Sequence, residues 1–140
     1  MTRWLLDTNV LSEIRRPRPH ARVVRFIVEQ SIENLYVSAA TLAEIRFGIE
    51  QVEEPSKRMI LNDWLEHTVR PMFETRVLDI GEEILLKWRV LVEHGRKRGH
   101  TFGEPDALIA ATALHHGLTI VSRDTSQYEL ARLPVLNPWT

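Results

Sequence analysis

Apolar residues along this chain come in two rhythms: short runs of three or four, and stripes that recur every three to four positions. Trp4-Leu5-Leu6 is a run that stops at Asp7-Thr8-Asn9, a group of turn and helix-cap residues, and it predicts a strand. A brief helix over about 10–16 should follow and end at Pro17 and Pro19. Between 20 and 30, Val23, Phe26 and Ile27 share one helical face. Leu35-Tyr36-Val37 reads as a second strand, and Ser38 caps a helix over about 39–51. Pro55-Ser56 opens a further helix in which Ile60, Leu61, Trp64 and Leu65 recur at helical spacing, and 76–78 is a third candidate strand. Over 82–97, Ile84, Leu85, Trp88, Leu91 and Val92 form one helical stripe.

The last third of the chain is the most sharply punctuated. Glu104-Pro105 opens a helix that runs to His116 and ends at Gly117, with proline at its start and glycine past its end. Leu118-Thr119-Ile120-Val121 is a strand bounded by Gly117 and Ser122-Arg123-Asp124. A helical turn through Tyr128-Glu129-Leu130 and a strand near 135–136 complete the pattern. Strands alternating with helices predict an α/β fold, a short parallel sheet of four to five strands covered by helices on both faces. With 140 residues and no internal repeat or linker, a single domain over 1–140 is expected.

Composition narrows the classes. The chain has no cysteine, which excludes a disulfide scaffold, a thiolate zinc site and a cysteine nucleophile. Its 44% hydrophobic and 26% charged content is that of an ordinary globular domain. The charge at Asp7 interrupts any signal-peptide apolar region, and the longest stretch free of Asp, Glu, Lys and Arg, 107–122, is shorter than the roughly 20 apolar residues a membrane span needs. A soluble cytoplasmic protein with no membrane partner is the expectation. The 18 Lys and Arg against 19 Asp and Glu argue against a passive nucleic-acid coat, while leaving room for an enzyme that touches nucleic acid locally.

The acids at strand ends carry the chemical signal. Asp7 and Asp124 lie just past predicted strands; Glu44 and Asp106 lie in early turns of predicted helices. Ligands of open α/β sheets collect beyond the carboxyl ends of the strands, so all four acids are candidates for one site. Each has a structural alternative: Asp7 and Asp124 as helix caps, Asp106 as a favourable dipole charge, Glu44 as part of a solvated face. Carboxylates brought together repel one another unless a cation neutralises them, and hard oxygen donors suit Mg²⁺ or Mn²⁺. Such an ion polarises a phosphoryl oxygen, lowers the pKa of an attacking water and offsets charge on the leaving oxygen, which fits phosphodiester hydrolysis.

The segments 5–13 (LLDTNVLSE), 38–48 (SAATLAEIRFG), 105–113 (PDALIAATA) and 122–124 (SRD), with the closing Asn137-Pro138-Trp139, resemble the PIN domain, and in particular the VapC toxins of type II toxin–antitoxin systems in their FitB-like branch. The resemblance covers essentially the whole chain. It implies a Mg²⁺-dependent endoribonuclease, Mn²⁺ being an alternative, that hydrolyses RNA through a metal-bound water. The family's four acids fall on Asp7, Glu44, Asp106 and Asp124, with Asp124 acting directly or through water. Thr8, Asn9 and Ser122 stand beside them as supporting residues that orient a carboxylate or water, or simply form the turn. The resemblance also implies a homodimer, a VapB-type antitoxin, and a complex that binds promoter DNA through the antitoxin.

Other charged and aromatic residues have plainer readings. Arg46 and Arg123 adjoin acids and are candidates to pair with them or to hold substrate phosphate. Arg96-Lys97-Arg98 with His100 is the densest basic run, read first as a solvated helix end and second as an RNA phosphate contact. His115-His116 closes a helix, and Trp64 and Trp88 belong to apolar stripes. Two alternatives compete with the nuclease: a non-catalytic PIN-like interaction module, and a phosphatase or phosphoacceptor domain with Asp7 as nucleophile. The second is weakened by Asn9, which stands where a haloacid-dehalogenase pattern needs an acid. Setting the four site acids aside leaves 18 positive against 15 negative side chains, so near-neutrality is compatible with an RNA-cleaving cleft.

Overall fold

The computed structural model describes residues 1–140, the side chain of Glu104 excepted. Strand β1 (Trp4–Leu6) leads into α1 (Thr8–Arg15) and α2 (Ala21–Glu29); β2 (Leu35–Ser38) leads into α3 (Ala39–Glu50) and α4 (Pro55–Trp64). The chain continues through α5 (Arg70–Phe73), β3 (Val77–Leu78), α6 (Glu82–Lys97) and α7 (Glu104–His116), then β4 (Thr119–Val121), α8 (Thr125–Leu130) and β5 (Val135–Leu136). All strand pairs are parallel and the sheet order is β3-β2-β1-β4-β5. The central strand β1 pairs Leu5 with Tyr36 on one side and with Ile120 on the other.

Because side chains alternate across a strand, neighbouring residues serve opposite faces. Leu6, Val37 and Val121 enter the core shared with Val10, Leu42, Ile45 and Phe73, while Leu5 and Ile120 enter the one shared with Ile109, Ala113 and Tyr128. Both faces are thus covered, which is why the strands read as continuous apolar runs. Pro105 in the first turn of α7 and Gly117 beyond its end, at φ +66° in the left-handed region, bracket that helix as the sequence predicts.

Three details depart from the sequence pattern. Helix α1 starts at Thr8, two residues before the expected position, because the Asp7 side chain accepts a hydrogen bond from the Thr8 N–H and so opens the helix there. Past Trp64, α4 runs on through one wide turn, Leu65–Val69, into α5, where Pro71 lacks the N–H that a regular helix would use. On the helical stripes, Ile60 is 67% exposed while Leu61, Trp64 and Leu65 pack on the core, and of the α6 stripe only Ile84 is buried. No helix among the described residues is long and apolar enough to cross a membrane.

Candidate active site at the carboxyl edge of the sheet

The parallel sheet sends β1, β2 and β4 out through the same edge, and each delivers polar residues there. The Asp7 N–H still donates to the Val121 carbonyl at 3.0 Å, extending the β1–β4 ladder by one residue and fixing Asp7 beside Ser122. Asp7 is only 3% exposed. Its Oδ1 accepts from the Thr8 N–H at 2.8 Å; its Oδ2 accepts from the Ser122 hydroxyl at 2.7 Å and from the Tyr128 hydroxyl at 3.0 Å.

Ser122 uses its full bonding capacity. Besides donating to Asp7, its Oγ accepts from Asn9 Nδ2 at 3.2 Å and from the Asp124 N–H at 3.0 Å. The Arg123 N–H donates to Asn9 Oδ1 at 3.3 Å, so Asn9 clamps the 122–124 turn to α1. Thr8 has its hydroxyl on Thr41 at 3.3 Å and serves the cap. The expected supporting residues therefore act on one another and on Asp7.

Asp106 lies in the first turn of α7, half-buried, with Gly103 pressed against its carboxylate: a Cβ at 103 would stand 2.8 Å from Oδ2. Asp124 stands at the N-terminal cap position of α8, exposed and with no capping bond from its side chain, and Glu44 is exposed on α3. A cleft of about 460 Å³ is lined by Asp7, Asp106 and Asp124 together with Asn9, Glu13 and Arg16. Glu44 lines an adjoining groove that shares Thr8, Ser12 and Arg15 with that cleft.

Electrostatics ties the four acids together. Burial raises the Asp7 carboxyl above its ordinary range; the bonds from Ser122, Thr8 and Tyr128 pull it back, and the charge of Asp124 adds to the rise. Asp106 is likewise raised, first by burial and then by the charge of Asp7, with Asp124 and Glu44 contributing and a hydrogen bond to Gln127 opposing. Among the described residues none of the four carboxylates is ion-paired with a Lys or Arg. Even with Arg15 and Arg16 at its rim, the cleft carries an excess of negative charge on hard oxygen donors, a set that suits a divalent cation. No three His, Cys, Asp or Glu side chains among the described residues already stand close enough to enclose an ion. Glu44 and Asp124, both exposed, retain the rotamer freedom of surface side chains.

The two arginines read as neighbours of acids make no ion pair among the described residues. Arg46 stands two positions from Glu44, a spacing that places the two on different sides of α3. Arg123 lays its guanidinium 5.2 Å from the ring centre of Trp139. Sequence reasoning passed over Tyr128, Gln127, Gly103 and Glu13. The last is buried, accepts from the His20 N–H at 3.0 Å and pairs with Arg16, which fixes the α1–α2 corner at the rim of the cleft. The available signal was spacing: Gln127 and Tyr128 fall three and four residues after Asp124, on the face of α8 that turns back toward the sheet.

A five-stranded parallel sheet with carboxylates from the β1–α1 junction, α3, α7 and the β4–α8 turn at one edge defines a PIN domain: the PIN domain family matches residues 4–133, and this chain belongs to that family. Among its full-length relatives, toxin FitB of Neisseria gonorrhoeae is 37% identical over 135 residues, covering 96% of this chain and 97% of the relative. VapC ribonuclease Y4jK of Sinorhizobium fredii is 39% identical over 135 residues, covering 96% of each. The crystal structure of FitAcB from Neisseria gonorrhoeae superposes with a TM-score of 0.90 at 37% identity, over 97% of this chain and 98% of that one.

Proposed function

We propose that this chain is a divalent-cation-dependent endoribonuclease and the toxin of a VapBC-like type II toxin–antitoxin pair, working as one unit over residues 1–140 in the cytoplasm. The observation that carries the reading is the raised, mutually repelling carboxyl set of Asp7 and Asp106 with Asp124 and Glu44 beside them, free of any Lys or Arg partner among the described residues. The names of the relatives, a VapC ribonuclease and a FitB toxin, support it.

In this reading Asp7, Asp106 and Glu44 hold Mg²⁺, or Mn²⁺, with Asp124 contributing directly or through water. Bound there, the ion would polarise the scissile phosphate and acidify an attacking water. Ser122 and Tyr128 fix the Asp7 carboxylate by donating to one of its oxygens, leaving the other oxygen shared with the Thr8 N–H. Asn9 holds the 122–124 turn so that Asp124 faces the same cleft. Arg46 and Arg123 are available to meet backbone phosphates away from the cut.

The test is cleavage of single-stranded RNA by the purified chain with Mg²⁺, with EDTA and with an Asp7→Asn variant. Cleavage confined to the first sample is the expected result; equal cleavage in all three, or none, overturns the reading and leaves the interaction module. The partners in this reading are a VapB-type antitoxin, promoter DNA reached through that antitoxin, and a second copy of the chain. Exposed Phe47 on α3 and Met59 and Ile60 on α4 support a copy-to-copy interface. Light scattering that returns a monomer mass across working concentrations overturns the homodimer.

A further inference from the structure

A second cavity, of about 260 Å³, lies away from the acids, between the C-terminal end of α6, the 98–103 loop and the C-terminal end of α8. Leu91, Phe102 and Leu130 give it an apolar floor, and Arg98 and Arg132 line it with cations beside the His94 ring. No acid lines it, and among the described residues neither Arg98 nor Arg132 is ion-paired.

Two features set this wall apart from ordinary packing. Arg132 holds φ at +59°, in the left-handed region that disfavours a long side chain, and such strain persists where the surroundings hold it in place. The Nε2 of His100 is buried without a hydrogen-bond partner, while the same residue's N–H donates to the Gly95 carbonyl at 2.8 Å. Only glycine fits at 95, because a Cβ there would stand 2.9 Å from the His100 carbonyl oxygen. The loop is therefore locked onto α6.

Both walls lead directly to the acids. The 98–103 loop runs into the first turn of α7, where Gly103 touches the Asp106 carboxylate. Helix α8, whose end closes the other side, begins at Asp124. An RNA strand with a phosphate over the acid cleft must lay its neighbouring nucleotides on the surface nearby. An aromatic and aliphatic floor with a cationic rim is what single-stranded nucleic acid uses: bases stack on the first, phosphates bind the second. The volume suits one small planar group and not an amphipathic helix, which requires several anchors along a groove.

We propose that this cavity is a nucleotide subsite of the RNA, with a base against Phe102, Leu91 and Leu130 and its phosphate between Arg98 and Arg132. The assignment rests on the endoribonuclease reading and takes up the basic run at 96–100 that the acid cleft leaves unused. The experiment is fluorescence anisotropy of a labelled single-stranded oligoribonucleotide with the full chain in EDTA, so that binding is read without cleavage.

The Arg98→Gln, Arg132→Gln double variant is expected to bind about tenfold more weakly and to lose about 0.7 of salt slope, the amount for one phosphate contact on a single strand. Phe102→Leu, which keeps the apolar floor and removes the ring, is expected to weaken binding several-fold at unchanged salt slope. Wild-type binding by these variants overturns the subsite while leaving the ribonuclease in place. A wild-type chain that neither binds nor cleaves the RNA overturns both readings. Binding of an acidic peptide that the Arg98→Gln, Arg132→Gln variant loses, with RNA binding unchanged in that variant, assigns the cavity to a protein partner and overturns the proposal.

Discussion

The hydroxyl of Tyr128 donates to Asp7 Oδ2 at 3.0 Å, onto the oxygen that Ser122 also reaches. Tyr128 is fully buried, and burial together with the charges of Asp7 and Asp106 pushes its own pKa far above the ordinary tyrosine range, so it stays a donor at any working pH. Its bond opposes the rise that burial imposes on Asp7. Tyr128→Phe is therefore expected to raise the Asp7 pKa and to cost roughly 1–2 kcal/mol of stability by denaturant unfolding. The acid limb of the pH–rate profile should move to higher pH. Loss of stability with an unmoved acid limb would assign Tyr128 a packing role only.

Gly103 has an ordinary backbone conformation, φ −61° and ψ 148°, that alanine adopts freely. What alanine cannot share is space: its Cβ would stand 2.8 Å from Asp106 Oδ2, so the carboxylate must swing away. Because the displaced group is the mobile end of a side chain, Gly103→Ala is expected to leave the melting temperature within about 2 °C. Ribonuclease activity should fall by about tenfold or more, since displacements of this size cost catalysis heavily. Full activity in a folded Gly103→Ala chain would separate Asp106 from the chemistry.

Asp106→Asn is expected to move stability in opposite directions with and without a cation. In EDTA it removes repulsion from Asp7, Asp124 and Glu44 and should melt roughly 1–3 °C above the wild-type chain. With Mg²⁺ the wild type should gain stability as any folded-state binder provides, about 2.7 kcal/mol at a hundredfold excess over Kd. The variant should lose most of that gain. Equal Mg²⁺ shifts in both chains would take Asp106 out of the ion site.

The acids were legible in the sequence because they follow strands that are themselves legible. Leu118, Ile120 and Val121 are apolar on both sides of the strand since both sheet faces are covered, and Pro105 and Gly117 mark where α7 starts and stops. Tyr128 was not legible, because a buried aromatic in a short helix reads as core, and its target lies 121 residues away in the chain. The wide turn at Leu65–Val69 was hidden inside a continuous helical pattern, and the α6 stripe reads deeper than it is because Leu85 is exposed and Trp88, Leu91 and Val92 are only partly buried. Gly103 and the Arg98–Arg132 cavity depend on which loops meet, and periodicity carries no signal for that.

Stability against pH should show two limbs of opposite origin. Asp7 and Asp106 have folded pKa values above their ordinary 3.8, first through burial, so the stability they contribute is fully present below 3.8 and is lost as pH rises through the raised values. Glu13 is held below its ordinary 4.5, first by the His20 N–H, so its contribution is present above 4.5 and is lost as pH falls through the lowered value. In EDTA, Asp106→Asn is expected to flatten the loss on the neutral side, and Glu13→Gln the loss on the acid side. Melting temperatures between about pH 3 and 8 test both limbs. An Asp106→Asn profile parallel to wild type through the upper limb would show that the carboxyl at 106 carries no excess negative charge to relieve.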